Sequence, residues 1–145
     1  MNLKLVALKP QHAAITPYLR QSDLQELDAM TGLPPAVAVA YSIAHSEKGY
    51  AAEIDGKPIA IFGVADGLIW LVATDDINNY PITFYRLSKK IFQKLKSGYI
   101  QLSNYVDTRN KLSLKWLKWL GFKIDPPMKI NNGIFHFVHW EEEDF

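Results

Sequence analysis

Four histidines (His12, His45, His136 and His139) and three turn carboxylates (Asp66, Asp75 and Asp76) are the side chains that could move a proton in this 145-residue chain. Cysteine is absent, which removes thiolate nucleophiles, thiolate metal sites and disulfides together. His136 and His139 stand three apart on a predicted strand. Side chains alternate there, so the pair points to opposite faces and cannot share one metal. The histidines read as surface or core-edge groups, Asp66 as a turn residue, and Asp75-Asp76 as a cap and turn pair. No Ser-His-Asp spacing or metal-ligand cluster emerges. No catalytic residue is therefore assigned, and no metal is expected.

Charge is more informative than any single titratable group. The formal net charge is +1. Residues 1–76 hold nine acids and five bases, whereas residues 77–129 hold eleven bases and only Asp107 and Asp125 as acids. The tail Glu141-Glu142-Glu143-Asp144 is acidic and is expected to fray. A basic middle attracts phosphates or an acidic protein surface. The simpler reading is a solvated helix face. Basic residues interleaved with Tyr80, Tyr85 and Tyr99 suit a single-stranded nucleic acid. No recognised nucleic-acid motif is present, however, and nucleic acid is ranked last among the partners. Trp116, Trp119, Phe84 and Phe122 fall on apolar stripes and are assigned to the core.

The elements that must position these groups follow from composition and pattern. The chain is 48% hydrophobic, 12% aromatic and 21% charged, which suits one folded domain and excludes disorder as the main state. Leu3–Leu8 is too short and interrupted for a signal peptide, and no stretch approaches the ~18 apolar residues of a membrane span. A cytoplasmic protein is expected. Leu3–Leu8 reads as a strand. Pro10 suits the first turn of a helix running to Leu19. Ser22 or Asp23 caps a second helix through Met30, and Ala36–His45 is read as a third. Asp55-Gly56 and Asp66-Gly67 join three strands into an antiparallel meander. Pro81 opens a long helix stopped by Gly98. Tyr99–Tyr105 is a strand, and Asp107 or Thr108 caps a helix ending at Gly121. Phe122-Lys123-Ile124, the Pro126-Pro127 interruption and Asn131-Asn132-Gly133 make a last hairpin with Ile134–Trp140. The fold class is α+β, with one mixed sheet of about seven strands flanked by helices.

That order resembles the GNAT acetyltransferases over nearly the whole chain, as one domain spanning 1–145 with the acidic tail at 141–145. The most specific local piece is Asn110–Phe122, where an asparagine precedes a helix ending in Leu-Gly-Phe. A narrower resemblance is carried by Ile59–Gly63, Ile69–Asp75, the basic helix, Ser103-Asn104-Tyr105-Val106, Asn110 and Trp116-Leu117-Lys118. These look like the small internal virion protein A family of short-tailed phages, whose members are GNAT-like in outline and are associated with virion morphogenesis. This likeness implies a phage or prophage product, with phage or host proteins as partners and a place in the host cytoplasm or the virion.

The GNAT resemblance also implies an acetyl-CoA site, and here the sequence departs from the pattern. GNAT enzymes bind pyrophosphate at a glycine-rich turn opening the helix after the third meander strand, where bare amides reach the phosphates. The matching stretch Thr74–Pro81 has no glycine, and its Asp75 and Asp76 repel phosphate. Many members place a proton-donating tyrosine where this chain has Leu117. Two readings follow, with the first preferred. In the first, the chain has lost ordinary acetyl transfer and acts through protein contacts in virion morphogenesis or as an internal virion protein. In the second, it is an acetyl-CoA-dependent N-acetyltransferase with a non-standard site. Backbone atoms of Val72 and Thr74 then hold the pantetheine arm, the helix start near Asn79 takes the pyrophosphate, and Asn110 sits beside the thioester. A small nucleic-acid-binding protein is the third reading.

Overall fold

The computed structural model describes residues 2–143, so Asp144 and Phe145 of the acidic tail lie outside the described residues. β1 (Leu3–Ala7) pairs antiparallel with β2 (Lys48–Ile54), and β2 with β3 (Lys57–Ala65). β3 then pairs antiparallel with β4 (Leu68–Ala73). Both predicted turns are present. Asp55 and Gly56 have φ of 51° and 79°, and Asp66 and Gly67 have 53° and 78°. Two successive positive φ angles give the turn whose twist matches paired strands, and glycine adopts the second without a Cβ clash.

The segment Pro10–Tyr18, expected as an ordinary helix, is a 3-10 segment. Pro17 explains the difference, because it has no N–H to donate and its ring disfavours the α conformation before it. The first α-helix, α1 (Gln21–Thr31), begins with Arg20 at its N-cap rather than Ser22 or Asp23, and ends at left-handed Gly32. α2 (Pro35–His45) follows as predicted. After β4, a 3-10 turn (Asp75–Asn79) leads into α3 (Pro81–Leu95).

β5 (Gln101–Asp107) leads to α4 (Lys111–Leu120), which ends at left-handed Gly121. Asn110, not Asp107 or Thr108, caps α4: its side chain accepts from the Ser113 amide at 3.3 Å. Asp107 is held instead by the backbone N–H, Nε and Nη2 of Arg109. The proline pair divides the expected single strand into β6 (Lys123–Ile124) and β7 (Met128–Ile130). Both lie against β8 (Gly133–Glu141), so the sheet has eight strands rather than about seven. Its order is β1-β2-β3-β4-β5-β8-β6. Glu141 ends β8 and the Glu142 amide bonds to Ile100 O at 2.9 Å, so the tail's start is paired rather than frayed.

Strand alternation sends β3 side chains into two cores. Phe62 faces α3 and α4, where it meets Trp116 at 5.3 Å and Phe84 at 6.0 Å between ring centroids. Ile61 faces the other way, into a smaller cluster with Ile15, Val39 and Val72. Trp119 is a correction to the expected core: it is 54% exposed, while Trp116 is fully buried. The buried stripe of α4 runs through Ser113, Trp116, Leu117 and Leu120, and Trp119 lies off its edge. No helix among the described residues is long and apolar enough to cross a membrane.

Candidate functional site: the opening between β4 and β5

β4 and β5 run parallel but pair only at Leu68↔Ser103. Beyond that point they diverge, and a cavity of about 260 Å³ occupies the opening. Its walls come from Leu27 and Met30 of α1, Val39 of α2, the β4 run Ile69–Val72, and Trp116 and Leu117 of α4. The backbone groups of successive strand residues turn to opposite edges, which decides who faces the opening. The Thr74 amide donates to Ile59 O at 2.9 Å, toward β3. On the other edge Gly67 O accepts from the Ser103 amide, and Ile69 O accepts from Asn104 Nδ2 at 2.7 Å. By the same alternation Leu71 turns its N–H and C=O into the opening.

Ala73 also faces that way, but both of its backbone groups are engaged. Its N–H donates to Asp23 Oδ2 at 2.9 Å, and its carbonyl accepts from the Arg20 amide at 2.9 Å. Asp23 is the hub of a buried network. It accepts Arg20 Nε at 3.0 Å and Arg20 Nη2 at 2.9 Å, and it accepts Asn110 Nδ2 at 3.1 Å. Asn110 Oδ1 accepts from Arg20 Nη2 at 3.0 Å, and Asn110 Nδ2 also donates to Glu26 Oε2 at 2.6 Å. The Asp23 carboxylate therefore ties the end of β4 to the start of α4 across the opening.

Electrostatics follow from burial. Burial pushes Asp23 upward, and the Arg20 guanidinium, the Ala73 amide and Asn110 pull it back. Glu26 makes no ion pair among the described residues. As a residue it is half-buried, but its carboxyl is turned inward, and burial pushes its pKa up to about 8. The Asn110 hydrogen bond opposes that rise, while Asp23 and Asp107 add repulsion in the same direction as burial. On the cavity wall the Ser113 hydroxyl and the Trp116 indole N–H are buried with no partner among the described residues.

The four residues singled out from sequence fare differently. Val72 lines the cavity with its side chain, and its ladder partner is Ile61. Thr74 has its amide on β3, while its hydroxyl accepts from the Asp76 amide at 3.3 Å and so caps the 3-10 turn. The Thr74 amide and, by alternation, the Val72 backbone thus turn toward β3, and Leu71 turns its own backbone groups toward the opening. Asn79 lies exposed in the turn before α3. Asn110 is buried in the network. Arg20 and Glu26 were not singled out from sequence, and Asp23 was named only as a helix cap. The available signal was three charged side chains at three-residue intervals along a helix face beside Leu24 and Leu27.

These groups do not fit coenzyme A held as the resemblance implies. In the turn that should cradle pyrophosphate, the Ile77 and Tyr80 amides bond to Thr74 O and Ile77 O, and the Asp76 amide bonds to Thr74. Asp75 and Asp76 are exposed there. Pro81 has no N–H to offer. Leu117 is buried where a proton donor is wanted. Among the described residues, no group of three or more His, Cys, Asp or Glu converges to hold a metal ion.

No protein-family model matches the chain, and no curated protein sequence matches it. Solved structures do. The aminoglycoside acetyltransferase AAC(6')-Ib, solved with ribostamycin and coenzyme A, superposes with a TM-score of 0.63 at 14% identity, covering 97% of this chain and 94% of that one. A GNAT-family acetyltransferase from Streptococcus pneumoniae gives a TM-score of 0.64 at 16% identity, over 97% and 99% of the two chains. An N-acetyltransferase from Staphylococcus aureus Mu50 gives 0.63 at 15% identity, over the same shares. At these identities the likeness is one of fold: this chain folds as the GNAT acetyltransferases do.

Proposed function

We propose that this chain is a GNAT-fold protein that has given up ordinary acetyl transfer and works through protein contacts, as a phage or prophage product in virion morphogenesis or inside the virion. The observation that carries the loss of transfer is the tie made by Asp23. It occupies the Ala73 amide and anchors Asn110, so the end of β4 nearest the cofactor turn has no free backbone to pair with a pantetheine arm. The particle role rests on the resemblance of Ile59–Gly63, Ile69–Asp75, the basic helix, Ser103–Val106, Asn110 and Trp116–Lys118 to the internal virion protein A family. Titration calorimetry with millimolar acetyl-CoA is expected to give no binding heat, and incubation with acetyl-CoA and a primary amine is expected to release no free thiol. Saturable binding with thiol release overturns the loss of transfer. Mass spectrometry of purified particles is expected to find the chain, and its absence overturns the particle role.

A second reading has its own support in the cavity. Leu71 presents backbone groups to the opening, and Ser113 and Trp116 leave polar atoms unpartnered on its wall. In this reading the chain is an acetyl-CoA-dependent N-acetyltransferase with a non-standard site. The Leu71 backbone replaces Val72 and Thr74 as the pairing edge, the helix start near Asn79 takes the pyrophosphate, and Asn110 sits beside the thioester. The same calorimetry separates the two.

A further inference from the structure

The outer face of α3 and α4 carries chemistry that neither the fold nor the cavity uses. Arg86, Lys89, Lys90 and Lys94 of α3 and Lys111, Lys115 and Lys118 of α4 are all exposed. Neither helix contains an acid. None of the seven cations makes an ion pair among the described residues. An ordinary solvated helix face mixes both signs and gains from i,i+4 pairs, whereas this one carries only self-repulsion.

A groove of about 490 Å³ runs along this face, walled by Ile82, Tyr85, Arg86, Lys89 and Trp119. Trp119 is 54% exposed and Ile82 is 69% exposed. The Tyr85 and Trp119 rings lie 6.1 Å apart at an interplanar angle of 32°, and Lys89 Nζ stands 5.4 Å from the Trp119 centroid. Tryptophan is usually well covered, so a half-exposed one among unpaired cations calls for an occupant with a flat face and negative charge. An acidic peptide meets the charge but offers nothing specific to the two rings. A duplex meets the charge but keeps its bases stacked away from them. A single strand supplies phosphates for the lysines and open base faces for the rings together.

We infer that the groove between α3 and α4 binds single-stranded nucleic acid without sequence preference, with phosphates on the flanking lysines and arginine and a base stacked at Tyr85 and Trp119. Spacing supports this arrangement. Arg86, Lys90 and Lys94 recur every fourth residue of α3, and Lys111, Lys115 and Lys118 follow the same face of α4. Each helix therefore presents a row of cations with an axial spacing of roughly 4.5–6 Å. Arg86, Lys89 and Lys90 line the groove itself, and the α4 lysines are exposed on the helix that carries Trp119.

The test is fluorescence anisotropy of the full chain with a labelled oligothymidylate of about 15 nucleotides, long enough for one groove of this kind. Binding is expected to weaken with salt, with a log–log slope of about −2 to −4 for three to five phosphate contacts. Trp119→Ala is expected to weaken binding by at least about fivefold at fixed salt, and Trp119→Phe to restore most of it. Lys89→Glu combined with Lys118→Glu is expected to weaken binding further and flatten the salt slope. Circular dichroism is expected to show all three variants folded, since every altered position is exposed. The inference is overturned by no binding at low salt, by a Trp119→Ala protein that binds like the parent, or by a duplex of equal length binding more tightly. Polyglutamate competing as well as the oligonucleotide also overturns it, and assigns the face to an acidic protein partner.

Discussion

The inner end of β4 and the outer face of α3 and α4 treat charge in opposite ways. At the end of β4, Arg20 at the N-cap of α1 and Asp23 within it are buried together, and the Asp23 carboxylate has partners at Arg20, Ala73 and Asn110. On the outer face, seven cations stand in solvent without an acid between them. The first region spends its polar groups on holding the fold closed. The second leaves them open to a ligand. The contrast directs the search for a ligand-binding surface outward, to the face whose cations make no ion pair among the described residues.

The contrast breaks most clearly at Asp23. Asp23→Ala leaves Arg20 buried without its anion and the Ala73 amide without an acceptor, while Asn110 Nδ2 keeps only Glu26 Oε2. Losing one partner of a buried, hydrogen-bonded pair costs about 3–5 kcal/mol. A urea midpoint is expected to fall accordingly. Lys57→Ala at the exposed Lys57–Asp76 pair, 3.6 Å apart, is expected to change stability by under about 0.5 kcal/mol. Equal losses at the two sites erase the distinction between a structural network and surface charge.

Glu26 gives a smaller and pH-dependent effect. Its folded pKa of about 8 lies above the ordinary 4.5, so the folded chain keeps a proton that the unfolded chain releases. Stability therefore falls as pH rises from 4.5 toward 8. Glu26→Gln keeps an oxygen for Asn110 Nδ2 but cannot ionise. Parent minus variant stability is expected to decline by at least about 1 kcal/mol between pH 5 and pH 8. A flat difference places the carboxyl in water and opens the network.

How much of this was legible depended on whether the determining contact was local. Asp55-Gly56 and Asp66-Gly67 each carry a turn in two residues, and the meander followed from them. Gly121 after an amphipathic run stopped α4 as expected. Pro10 announced a helix, but Pro17 seven residues later withheld the α form. Trp119 reads as core from the sequence because it lies at the edge of the apolar stripe of α4, and the pattern alone does not show that α3 leaves that edge open. The network was invisible for a different reason. Arg20 and Asn110 are 90 residues apart, and nothing near either of them indicates the other. Val72 and Thr74 show how parity escapes a sequence reading: a shift of one residue along β4 turns every backbone group to the opposite edge, and only the ladder with β3 fixes which edge is free.

Trp119 gives the smallest effect on stability and the sharpest test of the contrast. Trp116 and Trp119 are three residues apart on one helix, with the first fully buried and the second 54% exposed. Trp119→Ala removes the contact with Tyr85 and the Lys89 ammonium above the ring, both at the surface. It is expected to shift stability by about 0.5 kcal/mol or less, because surface substitutions away from caps and cores stay in that range. If Trp119→Ala instead destabilises the chain by several kcal/mol, the ring is a structural wedge between α3 and α4. Its exposure then needs no ligand, and the outer face becomes an ordinary solvated surface like the rest of the molecule.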